Sequence, residues 1–169
     1  ARSPDAGWLL PNEHLSTQGI PPIPVSLVRE VERYTDFRGH AFADWHPLRD
    51  EMLVSHRPAG AATVQLFRLP GPLAAPEPLT DDADPVTEAS YEPRAGRYIV
   101  FARSADGSEA DQLYRLDPGR RTPTRLTEPD QRHDAIGWLH QRSELVYSAV
   151  PLDRTAEGGT RAAPTTTLW

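Results

Sequence analysis

Residues 89–127, ASYEPRAGRYIVFARSADGSEADQLYRLDPGRRTPTRLT, decide the fold. Short apolar runs alternate with the breakers Glu92-Pro93, Ala95-Gly96, Asp106-Gly107 and Asp117-Pro118-Gly119. No helical period survives that spacing, and runs bounded by Pro, Gly and Asp read as strands joined by tight turns. The stretch predicts four strands, at 89–92, 97–103, 111–117 and 123–127. The second is apolar at Tyr98, Ile99, Val100 and Phe101 in succession, the pattern of a strand covered on both faces. The third alternates and predicts one more exposed face.

Working outward, the same pattern recurs. Trp45, Tyr91 and Trp138 are separated by 46 and 47 residues, and each stands seven residues before an apolar run that begins at Met52, Tyr98 or Leu145. Leu66-Phe67-Arg68-Leu69 matches Leu113-Tyr114-Arg115-Leu116, and Leu79-Thr80 matches Leu126-Thr127, both at a spacing of 47. Leu168-Trp169 stands as the third unit's version of Leu113-Tyr114. A small sheet whose inner strand is covered on both sides has to be stacked between copies of itself. That describes a propeller blade, whose period is about 40–50 residues. The expectation is an all-β chain forming an incomplete β-propeller of four-stranded antiparallel blades: blade 1 at 41–88, blade 2 at 89–135 and part of blade 3 at 136–169. A β-sandwich with coincidental spacing is the alternative. Closed propellers have about 4–8 blades, so the expected context is the N-terminal portion of a larger protein. The segment 151–167, rich in Gly, Ala, Thr and Arg, is expected to be a mobile rim loop.

Residues 1–40 read differently. Pro4, Pro11, Pro21, Pro22 and Pro24 predict an arm without regular structure. Leu27, Val28, Val31 and Tyr34 then share one face of a short helix over 26–34, with Ser26 as its cap. The chain begins with Ala, and no basic start followed by an apolar run marks a signal peptide.

Composition removes several function classes. Among 169 residues, 24 Asp and Glu face 18 basic residues, all Arg, for a net charge of −6. That balance leaves no broad footprint for a phosphate backbone, so nucleic-acid binding is not expected. Without cysteine there is no disulfide framework, thiolate nucleophile or Cys-type zinc site. No apolar run is long enough to span a membrane.

The order Trp45-His46-Pro47, Glu51-Met52-Leu53-Val54-Ser55, Gln65-Leu66-Phe67-Arg68 and Pro78-Leu79-Thr80 resembles a propeller of the prolyl oligopeptidase family of serine peptidases. So does Tyr91-Glu92-Pro93, followed by Gly96-Arg97-Tyr98-Ile99-Val100-Phe101, Gln112-Leu113-Tyr114-Arg115-Leu116-Asp117 and Arg125-Leu126-Thr127. Ile20-Pro21-Pro22-Ile23-Pro24 is similar to the lead-in of some bacterial members. TolB-type propellers share this rhythm; WD repeats are a weaker match, because no Gly-His and Trp-Asp pair recurs here once per blade. The resemblance implies a two-part enzyme. A propeller would admit peptide substrate through its channel to a downstream α/β-hydrolase domain, and exported relatives point to the periplasm. The chain holds no Gly-x-Ser-x-Gly elbow, so no catalytic residue, metal ligand or cofactor is assigned. A TolB-like propeller that binds a protein partner without catalysis is the rival reading.

Five side-chain groups have residue types that could form a site. His40, Asp44 and His46 fall on one face if strand alternation is unbroken, and such a set can bind zinc or iron; a solvated or hydrogen-bonded strand end is the simpler reading. Ser55-His56 near Asp50 has the residue types of a triad, but neighbouring strand residues point to opposite faces. Asp81, Asp82 and Asp84 offer oxygen ligands without the glycine and glutamate of a calcium loop. Arg120-Arg121 is expected at an exposed hairpin tip. Trp45, Tyr91 and Trp138 are expected to pack in the core rather than form a stacking platform.

Overall fold

The computed structural model describes residues 7–11, 13–35, 38–104, 108, 110–139, 142–153, 161–162 and 167–168. The chain divides into two units, Ala1–Arg38 and Gly39–Trp169.

In the first unit, β1 (Trp8–Leu9) pairs antiparallel with β2 (Ile23–Pro24), so the arm carries one short ladder where none was expected. Helix α1 spans Val25–Thr35. Its first residue donates a backbone hydrogen bond to Gly7, 2.9 Å, which satisfies an otherwise orphaned amide. Ser26 therefore lies inside the helix and does not cap it. The apolar face of α1 is open, with Leu27, Val31 and Tyr34 all exposed. No described helix is long and apolar enough to cross a membrane.

The second unit is all-β. Strands β3 (His40–Trp45), β4 (Met52–His56), β5 (Gln65–Leu69) and β6 (Glu77–Pro78) form one antiparallel meander. Strands β7 (Val86–Tyr91), β8 (Ile99–Ser104), β9 (Asp111–Leu116) and β10 (Thr124–Arg125) form a second in the same order. The third sheet pairs β11 (Gln131–Trp138) with β12 (Leu145–Asp153), and β12 pairs in turn with β13 (Arg161–Ala162) and β14 (Thr167–Leu168). The second and third sheets begin at 86 and 131 rather than at 89 and 136, because their first strands extend further towards the preceding sheet. The loop expected over 151–167 lies largely outside the described residues. Within it, Pro151–Asp153 prolong β12.

The three aromatic markers occupy equivalent places. Trp45, Tyr91 and Trp138 each end the first strand of a sheet and pair with the first residue of the second strand, respectively Met52, Ile99 and Leu145. The connection in the second sheet is one residue longer, and Gly96 absorbs the excess at φ 61°. Tyr98 consequently sits before β8 and not within it. Its ring lies 6.2 Å from that of Trp138 and 3.9 Å beneath the Arg115 guanidinium.

The sheets stack face to face. Leu53 and Leu66 of the first meet Ala89, Tyr91, Ile99, Phe101 and Tyr114 of the second. From the opposite face of the second, Val100, Ala102 and Leu113 meet Ile136, Trp138, Leu145 and Tyr147 of the third. β8 is therefore covered on both sides, as its sequence predicts. Trp45 departs from the expectation of core packing. It is 56% exposed, close to Phe42, because no described sheet covers that face.

A hydrogen-bonded clamp accompanies the 47-residue period. The Thr80 hydroxyl accepts from the Leu66 amide at 2.9 Å and donates to Gln65 Oε1 at 2.8 Å. Thr127, Leu113 and Gln112 repeat this at 3.0 Å for both bonds. The amide nitrogen of each glutamine then reaches a carbonyl just before or at the start of the next sheet: Asp82 and Asp84 for Gln65, and Gln131 for Gln112.

Phe101→Ala should cost about 3–5 kcal/mol, because the side chain is fully buried between two sheets. Trp45→Ala, on the open face, should cost less than about 1 kcal/mol. Urea unfolding followed by circular dichroism measures both.

Candidate functional site

The structure disperses the histidine-carboxylate group. A bulge in β3 shifts the register between Phe42, opposite Val54, and Asp44, opposite Leu53. That extra residue resets the alternation, so Asp44 leaves the face occupied by His40 and Phe42. His40 stacks on His56 at 4.0 Å, whereas His46 is buried with its edge towards Tyr91 at 4.8 Å. Asp44 accepts from its own neighbour Trp45 and, across the sheet boundary, from the Ser90 hydroxyl at 2.8 Å and the Tyr91 amide at 2.9 Å. Ser90 in turn accepts from the Trp138 indole at 2.9 Å. One relay thus links the first strands of all three sheets. Among the described residues no cluster of metal-ligating side chains forms.

Ser55 lies opposite Ala41 and Leu66, while His56 stacks on His40 and meets the Phe67 ring. The two side chains project to opposite faces and Asp50 is exposed. The acidic run serves the architecture: Asp82 pairs with Arg103 at 2.6 Å, and its carbonyl accepts from Gln65 and Thr63.

The sequence reading passed over two glutamates that the structure makes prominent. Glu51 is buried and accepts from the Tyr91 phenol at 2.6 Å and from Arg49 at 3.1 Å, with Arg68 3.9 Å away. Burial alone would raise its carboxyl, but the Arg49 and Tyr91 hydrogen bonds and the arginine charges outweigh that and hold it below its ordinary value. Burial, reinforced by the bond to Glu51, pushes the Tyr91 phenol well up, so it remains a donor. Glu92 is fully buried. Burial opposes its charge, but the Ser143 hydroxyl and the amides of Ala95, Arg97 and Arg94 override it and hold the carboxyl at about 2. Their partners are partly local, with Arg49 two residues from Glu51 and the amides of Arg94, Ala95 and Arg97 in the turn that follows Glu92, whereas Tyr91 and Ser143 are brought in by the fold.

Two cavities open at the junction of the first two sheets. One, of about 370 Å³, lies along β3 and β7 and includes Asp44, Thr87, Glu88 and Ser90. Asp44 is committed there to Ser90 and Tyr91, Thr87 to Asp111 at 2.7 Å, and Glu88 to the Ile136 amide at 3.3 Å. The other, of about 270 Å³, lies among the turns at the opposite ends of these strands. Arg49, Arg68, Arg120 and Arg121 line it with Glu51, Glu77 and Asp117, over a floor that includes Leu79, Ile99 and Leu116. Arg49 pairs with Glu51, Arg68 with Glu77, and Asp117 with Arg115. The Arg120-Arg121 tip is exposed, as predicted, and it overhangs this cavity.

Comparison with known proteins returned no matching family model, no matching curated protein and no matching solved structure.

Glu92 generates a pH prediction. Its folded-state value of about 2 lies below the ordinary 4.5, so its contribution is complete above about pH 4.5 and is lost as pH falls towards 2. Glu92→Gln should destabilise the chain at pH 7 by about 1–3 kcal/mol. The gap between variant and parent should close on acidification across that window, in urea midpoints measured at each pH. Gly96→Ala is a second test. The added Cβ would be driven into the His46 ring at a positive φ, whereas Gly60, also at positive φ, has nothing within 4 Å. Gly60→Ala should cost about 1–2 kcal/mol, and Gly96→Ala about 1–3 kcal/mol more, read by the same titration.

Proposed function

We propose that the three stacked sheets are successive blades of a β-propeller, and that this propeller is the access domain of a serine peptidase of the prolyl oligopeptidase type. The observation that carries the propeller is the direction of the stacking. Leu53 and Leu66 of the first sheet meet the second, and their repeat counterparts Val100 and Leu113 meet the third. Each sheet therefore offers one kind of face forwards and the other kind backwards. Such head-to-tail contacts close into rings when the rotation between sheets is regular. The exposed side of the first sheet supports the same arrangement. Trp45 and Phe42 lie exposed there, and Trp45 stands where the second sheet has its buried Tyr91.

The peptidase assignment is supported by the blade motifs. In this reading the described residues contribute no bond-making chemistry, and the nucleophile, base and acid belong to an α/β-hydrolase domain of the same polypeptide. The propeller selects by exclusion: a folded protein does not thread the ring, whereas a short or extended peptide does. A fluorophosphonate probe applied to the natural full-length polypeptide tests this. The expected result is stoichiometric labelling, with cleavage of short peptides and sparing of folded proteins. A polypeptide that takes no label and retains one stoichiometric protein partner would instead be a TolB-like binding module.

A further inference from the structure

The cavity among the turns of the first two sheets has an uncommitted charge. Four arginines line it against three carboxylates, all within a chain whose net charge is −6. Each carboxylate is already engaged: Glu51 by Tyr91 and Arg49, Glu77 by Arg68, and Asp117 by Arg115. Arg120 and Arg121 have no carboxylate partner among the described residues.

The turn itself does not require these two arginines. The connections β5–β6 and β9–β10 cover 70–76 and 117–123, so they are equal in length and one repeat apart. The turns within them are one residue out of step: the positive-φ residue is Leu73 (φ 61°) in the first and Gly119 (φ 75°) in the second, and Ala74 and Arg120 close the two turns, so the structural counterparts of Arg120 and Arg121 are Ala74 and Ala75. The same turn is thus made once without any charge and once with two guanidiniums beside a cavity.

We propose that this cavity binds the carboxylate of a peptide, carried on an apolar terminal residue, between Arg120 and Arg121. Three features select that ligand. Guanidinium groups match a carboxylate in planar, two-pronged hydrogen bonding. The lining has an excess of one positive charge, which suits a monoanion and penalises a phosphate dianion set against Glu51 and Glu77. The apolar floor of Leu79, Ile99 and Leu116 lies beside the arginines, so the anion should carry an apolar body. A volume of about 270 Å³ is below the roughly 300–1,000 Å³ of sites for drug-sized ligands, and it holds one residue rather than a nucleotide or cofactor. The proposal stands on the cavity and does not depend on the peptidase reading.

Calorimetric titration of the full chain tests it with four probes: acetyl-Ala-Ala-Leu as the free acid, the same peptide as its amide, acetyl-Ala-Glu-Ala amide, and inorganic phosphate. The free acid is expected to bind at least about tenfold more tightly than its amide, the loss expected when a charged hydrogen-bonded group is removed. Tighter binding of the free acid than of the glutamate peptide assigns the site to a chain terminus. The reverse order, equal affinity for acid and amide, or tighter binding of phosphate would each overturn the proposal. So would no detectable binding of the acid at millimolar concentration. The double variant Arg120→Ala, Arg121→Ala copies Ala74 and Ala75 of the first sheet's turn and should fold normally. It should lose the preference for acid over amide; retention of that preference would show that other groups hold the anion.

Discussion

The second sheet depends on one constraint: its β8 strand must be dry on both faces. Ile99 and Phe101 point to one neighbour, Val100 and Ala102 to the other, and none of the four is more than 7% exposed. Burying such side chains is worth about 1.5–3 kcal/mol for each large one, and an isolated four-stranded sheet can bury only one set. Stacking follows from this, because each flanking sheet covers what the second sheet cannot cover itself. The clusters on the two sides are separate, so the unit holds together through successive sheet-to-sheet contacts rather than around one central core.

Apolar stacking by itself leaves sheets free to slide. Polar links remove that freedom at three levels. The relay from Trp138 through Ser90 to Asp44 aligns the first strands. Tyr91 crosses to Glu51, and Ser143 to Glu92, at the ends of those strands. The glutamine-threonine clamps fasten the third strands of the first two sheets to the segments that lead into the next sheet. Hydrogen bonds in such shielded places are costly to leave unmade, so a slipped register is disfavoured by more than the apolar area it would expose.

Much of this was legible because repetition converts weak local signals into a strong one. Leu79-Thr80 and Leu126-Thr127 stood out as paired motifs, and the structure shows why a threonine is needed: its hydroxyl both accepts from a strand amide and donates to a glutamine. The glutamines at 65 and 112 carry the same spacing, though only their contacts disclose their role. What stayed hidden depended on single-residue irregularities. The bulge in β3 moved Asp44 off the face of His40 and turned an apparent ligand set into an inter-sheet acceptor. The extra residue before β8 put Tyr98 outside the strand that its apolar neighbours announced. Strand alternation has a period of two, so one inserted residue inverts every assignment beyond it, and no composition rule marks where that happens.

The two cavities between the first and second sheets show how a repeat separates structure from function. Along β3 and β7, Asp44 and Glu88 are paired with a neighbouring sheet and Thr87 with Asp111 of its own. A ligand there would have to displace bonds that hold the stack together, so that cleft is costly to use. Among the turns the scaffold is complete without Arg120 and Arg121, since the first sheet makes its matching turn with Ala74 and Ala75 in those places. A charge that the fold does not need, kept beside a partly apolar hollow in an acidic chain, remains free to bind something else. The seven-residue connection can therefore vary in sequence, and shift its turn by one residue, while the clamps beneath it hold the strands that it joins.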